Sequence, residues 1–78
     1  MSHTPHELAV EFPAHVARMH DLKGTNAHFA RLFDEFHEVN RAIHRAESRV
    51  EAVTEEHEAA LRRQRLALKD QIATMLEA

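Results

Sequence analysis

Four consecutive heptads constrain this chain more than any other feature. Phe29, Phe36, Ile43 and Val50 recur every seven residues. Leu32, Val39, Ala46 and Val53 do the same, offset by three. On a helix these two columns merge into one apolar stripe, which Phe33 widens at its N-terminal end. The opposite face is polar: Asp34, His37, Glu38, Arg41, His44, Arg45 and Ser48. The pattern predicts a helix over about 26–51, roughly 39 Å long at 1.5 Å per residue. Such a stripe is stable in water only against a second apolar surface.

The second surface comes later in the same chain. Leu61, Leu68 and Met75 stand seven apart, with Ile72 and Leu76 beside them. They predict a helix over about 55–77. Thr54 is a hydroxyl N-cap for it, and Glu55 and Glu56 place negative charge at its positive end. Arg65 falls on the seam between Leu61 and Leu68, where it must snorkel or find a partner. Folding back near Val53 brings Val50 near Glu56, Val39 near Leu66 and Leu68, Leu32 near Ile72, and Phe29 near Met75 and Leu76. The expected fold is all-α: an antiparallel, coiled-coil-like helical hairpin over 25–78. Its seam core is Phe29, Leu32, Phe36, Val39, Ile43, Val50, Leu61, Leu68, Ile72 and Met75.

Short helices are expected over 1–24. Thr4, Pro5 and Glu7 have the spacing of a capping box with Pro at the first helical position. Pro13 lacks an N–H and crowds the carbonyl four residues back, so the chain breaks after Phe12 and restarts over about 13–23. The restart carries Val16, Met19 and Leu22. Gly24 fits a left-handed C-cap, and Thr25 fits the N-cap of the long helix.

One seam leaves each helix with an uncovered side. The expectation is a homo-oligomer or a helical protein partner. The apolar residues left over for it are Leu8, Phe12, Val16, Met19, Phe33 and Leu66.

The residues also carry a resemblance. His28 through Glu47, with its Phe-rich stripe, looks like the first long helix of the YdcH-like family of small bacterial proteins. Arg65 through Leu76, with Leu68-Lys69-Asp70 and Ile72, is similar to that family's C-terminal helix. The likeness extends to the Phe12-Pro13 break and to Leu22-Lys23. It implies a helical coiled coil in a bacterial cytoplasm, of unknown function. It supplies no catalytic or binding residues.

Composition narrows the chemistry. The chain has 78 residues, one Gly and no Cys. It is too short for a second domain or a deep enclosed pocket. No Cys excludes disulfides, zinc fingers and thiol nucleophiles. One Gly excludes a Gly-rich phosphate loop. There is no apolar run of about 18 residues and no secretory leader, so a cytoplasmic protein off the membrane is expected. Carboxylates fall on solvated helix faces, and Ser2 and Ser48 lack an evident base. The expectation is no enzyme, no cofactor and no small-molecule substrate.

Eight His are unusual in a chain of this length. Ligands on one helix face need spacings of three or four. His15 and His20 are five apart, His37 and His44 seven, and His3 and His6 straddle the capping box. No metal site is expected, and solvated His is the plain reading. Full protonation would nevertheless reverse the sign of the formal charge, which is −3 with His neutral. Association that depends on pH therefore stands as an expectation to test.

Arg41, Arg45, Arg49, Arg62 and Arg63, with Arg65, cluster in the middle of the hairpin. They offer an anion-binding stripe for nucleic acid. Against this, Glu38, Glu47, Glu51, Glu55, Glu56 and Glu58 interleave, and no aromatic stands ready to stack on a base. The sequence therefore favours a non-catalytic protein–protein association module, with a nucleic-acid accessory protein as the alternative.

Overall fold

The structure, a computed structural model, describes residues 7–49 and 52–78. Among the described residues four helices follow one another: α1 (Leu8–Glu11), α2 (Val16–Thr25), α3 (Ala27–Glu47) and α4 (Glu55–Glu77). A 3-10 turn over Pro13–His15 separates α1 from α2. No strand occurs among the described residues. The fold is an all-α helical hairpin of α3 and α4, with α1 and α2 folded onto it as a strap.

The start of the chain differs from its local signals. Thr4 and Pro5 lie outside the described residues. Glu7 is extended (φ −63°, ψ 147°) and precedes the first helical residue, so it is not the third residue of a capped helix. Leu8 is fully buried. Glu7 makes no side-chain cap bond, so burial of Leu8 is what ties the start of α1 to the hairpin. Phe12 ends α1 with its N–H on the Leu8 carbonyl at 2.8 Å, and Pro13 starts the 3-10 turn, as its missing N–H requires.

The link from α2 to α3 is also a correction. Gly24 was expected in a left-handed C-cap, but no glycine has positive φ and α2 runs through it to Thr25. The Thr25 hydroxyl donates to the Asp21 carbonyl at 2.9 Å, closing the last turn. Asn26, not Thr25, makes the joint. Its extended backbone (φ −134°, ψ 107°) breaks the helix, and its N–H donates to the Leu22 carbonyl at 2.8 Å. Its Oδ1 accepts the Phe29 N–H at 3.0 Å and caps α3. Asn26 thus ends one helix with its backbone and begins the next with its side chain, without a left-handed residue at the joint.

The long helix is shorter than its heptads. It stops at Glu47, and Arg49 adopts φ 62°, a left-handed conformation. The Ser48 hydroxyl donates to the Arg45 carbonyl at 3.3 Å, and the Ser48 and Arg49 N–H groups close onto His44 and Ala46. Val50, expected in the seam, lies outside the described residues. The chain re-enters helix at Thr54, whose Oγ1 accepts the His57 N–H at 3.0 Å.

The core runs along the seam. Phe29, Leu32, Phe36, Val39 and Ile43 of α3 pack with Leu68, Ile72 and Leu76 of α4. Leu61 and Met75 are half-buried at its edge. Each fully buried Leu, Ile or Phe contributes about 1.5–3 kcal/mol. The Arg65 guanidinium donates to Asn40 Oδ1 at 3.0 Å, fixing an antiparallel register in which the middle of α3 faces the middle of α4. Leu8 and Met19 join this same core. The sequence leaves both as spare surface; the correction follows from the strap, which folds both side chains onto the hairpin.

Candidate interaction groove

The strap leaves a groove where it crosses α3. Glu7, Ala9, Val16, Met19, His20 and Lys23 line it from the strap, and Phe33 and His37 line it from α3. Its volume is about 220 Å³. Met19 is buried at its floor, Phe33 is half-buried, and Val16 is exposed at the rim. Cationic and imidazole groups surround this apolar floor. The Lys23 ammonium sits 4.2 Å above the Phe33 ring centroid. The His37 ring lies 4.5 Å from the same ring, and edge-on to Phe36 at 5.7 Å. Burial holds the His37 pKa below 6.5. The charges of Arg41 and Lys23 lower it too, while Glu7 and Asp34 oppose.

Two clasps hold the strap against α4. Arg18 donates from Nε to the Leu76 carbonyl and from a terminal nitrogen to the Ala78 carbonyl, both at 3.0 Å. A guanidinium on the last carbonyls of a helix also answers its negative end. Lys69 reaches back to Glu11 at 3.4 Å, with its ammonium 5.9 Å from the Phe12 ring centroid. The strap is thus fastened on both sides of its 3-10 turn, at the end of α1 and in the first turn of α2.

The expected interaction residues therefore separate. Val16, Met19 and Phe33 meet at the groove. Leu66 is 60% exposed on α4 and lines a second depression with Glu11, Phe36, Arg62, Arg65 and Lys69. Phe12 is half-buried beneath Lys69 on that second side.

The arginine stripe is divided and largely engaged. Arg62 bonds Glu47 at 3.0 Å across the hairpin and Glu58 at 3.1 Å along its own helix. That bond from Arg62 holds the Glu47 carboxyl below its usual range. Arg41 pairs with Glu38 at 3.2 Å and shares a shallow basin with His44, Arg45 and Ser48. Arg49 stands in the reversal beyond α3, and Arg63 is exposed on α4. No group of three or more His, Cys, Asp or Glu among the described residues is arranged to hold a metal ion. No helix among them is long and apolar enough to cross a membrane.

A family described as "Protein of unknown function (DUF465)" matches residues 29–76. The chain belongs to the DUF465 family. No curated protein and no solved structure matches it. The resemblance read from the two long helices, to a small-protein family of unknown function, agrees with this. The DUF465 match begins at Phe29 and ends at Leu76, so it covers most of α3 and all but the last residue of α4. The strap lies outside it. The groove thus joins a DUF465 wall, Phe33 and His37, to a wall from outside the match.

Two residues that organise this DUF465 chain escaped the sequence reading. Asn40 is 1% exposed, although it stands outside both apolar columns. Its signal was there: it lies seven after Phe33 on the widened edge of the stripe, opposite an Arg65 that needed an acceptor. Arg18 had no comparable signal, because its carbonyl partners lie 58 and 60 residues away.

Proposed function

We propose that this chain is a non-catalytic association module that pairs with a second copy of itself through the strap face. The observation that carries the reading is the exposure of Val10 and Val16. They are 63% and 48% exposed, on the two helices of one strap, and Val10 follows the groove-lining Ala9. Valines so placed cost solvation in a monomer and recover it at about 25 cal/mol per Å² when covered. A two-fold pairing sets the same patch against itself, so the valines of each copy are covered by the other. A chain this small with one intramolecular seam has much to gain from a second layer.

Sedimentation equilibrium tests the reading. The wild type is expected to show a mass above the 9.0 kDa of one chain, rising with concentration. Val16→Glu, at an exposed site, is expected to return it to a monomer while far-UV circular dichroism stays helical. A wild type that remains monomeric through the millimolar range overturns the reading. The nucleic-acid alternative has less support, since Arg41 and Arg62 are already paired with glutamates.

A further inference from the structure

We infer that Phe33, with Lys23 and His37 against its ring, is a clasp that latches α2 onto α3 when His37 is neutral and loosens when it is protonated. The inference rests on the intramolecular geometry of one chain. One aromatic ring is shared by two basic side chains from two different elements. Lys23, on α2, places its ammonium 4.2 Å from the Phe33 centroid. His37, on α3, places its imidazole 4.5 Å from that centroid. A neutral imidazole packs there as an apolar ring and leaves the negative face of Phe33 to the ammonium. A protonated imidazole sets a second positive charge against the same ring, and the two like charges repel across the α2–α3 contact.

Among the described residues, the ionisable groups around His37 come from the strap and from α3. From the strap, Glu7 precedes α1, and His20 and Lys23 stand on α2. On α3, Asp34 and Arg41 flank it. No residue of α4 lines the groove. Glu7 and Asp34 favour the proton, but burial outweighs them and Lys23 and Arg41 oppose it, so the pKa is lowered. The folded clasp therefore binds fewer protons than the open one. Its contribution is fully present above pH 6.5 and is lost as pH falls through the lowered value. Opening releases α2 first, since Phe33 and His37 belong to the hairpin, whose seam at Phe36, Ile43 and Ile72 is held by apolar packing that acid leaves unchanged.

Amide hydrogen exchange at about pH 7.5 and about pH 5.5 tests this, with α2 protection expressed relative to α4 in the same sample to remove the chemical pH dependence. In the wild type the α2/α4 ratio is expected to fall on acidification by up to about tenfold, the limit that one imidazole of ordinary value 6.5 sets between these pH values. His37→Gln is expected to abolish that fall. Lys23→Met, which keeps the stem but removes the charge, is expected to shrink it, and it provides the decision should His37→Gln not fold. An unchanged wild-type ratio overturns the clasp. So does a response that persists in full in His37→Gln, or in Lys23→Met, or a loss of protection shared equally by α4.

Discussion

The Arg65 guanidinium donates to Oδ1 of Asn40 at 3.0 Å, across the hairpin, and Asn40 is 1% exposed. A polar bond inside an apolar seam defines the register of two helices that heptads alone would allow to slide. All buried side-chain nitrogens and oxygens among the described residues have partners. Breaking this pair from one side should therefore be costly. Arg65→Leu is expected to destabilise by about 1–3 kcal/mol, because the Asn40 amide stays buried with one bond fewer. Asn40→Leu with Arg65→Leu is expected to recover most of that loss. Urea midpoints of the two variants check the order. A double variant less stable than the single one would contradict it.

Leu8 and Leu66, given the same role by the sequence, part company in the fold. Both were left-over apolar residues, but Leu8 is 0% exposed and Leu66 is 60% exposed. Leu8→Ala is expected to cost about 2–5 kcal/mol, the range for emptying a core leucine site. Leu66→Ala is expected to change the monomer by less than about 0.5 kcal/mol. Thermal or urea unfolding of the two variants side by side reads the difference directly.

The parts legible in the sequence are those set by periodicity over many residues. The stripe from Phe29 to Ala46 and the later one from Leu61 to Leu76 were enough to give the hairpin and its direction, since a mismatch at one position cannot hide a pattern of several turns. The capping Thr54 was legible for a local reason: its hydroxyl and the first turn it serves lie within three residues. The parts that were not legible depend on distant partners. Nothing near Leu8 says that a four-residue helix will carry it into the core, and nothing near Arg18 names the carbonyls of Leu76 and Ala78. The groove is of this kind, because Val16 and Phe33 meet only once Asn26 has set the angle between α2 and α3.

Gly24 gives a prediction whose sign separates two conformations. In a left-handed cap, replacing it with Ala would strain the backbone and destabilise the protein. Gly24 instead lies inside α2 without positive φ, and a β-carbon there meets nothing within 4 Å. Gly24→Ala is therefore expected to stabilise by up to about 1 kcal/mol, since alanine loses less backbone entropy in a helix. A rise in the thermal midpoint with an unchanged helical signal is the expected outcome, and a fall would restore the left-handed cap.

Glu47 sets an acid-side dependence. The hydrogen bond from Arg62 is the main cause that holds its carboxyl below the ordinary 4.5, with burial opposing and the charge of Arg62 assisting. The folded state thus binds fewer protons at Glu47 than the unfolded chain does, and stability rises with pH across that interval. The contribution is complete above pH 4.5 and is lost as pH falls through the lowered value. Both side chains are more than two-fifths exposed, at 42% and 43%. Solvent and salt therefore screen the pair, and the effect is small. Urea unfolding followed from neutral pH into the acid range should show a shallower acid decline for Glu47→Gln than for wild type. Molar salt should bring the two curves together, because it screens an exposed ion pair while leaving the Phe36–Ile72 seam intact. A variant whose acid decline matches that of wild type at low salt would show that Arg62 does not hold Glu47 in the way its 3.0 Å bond implies.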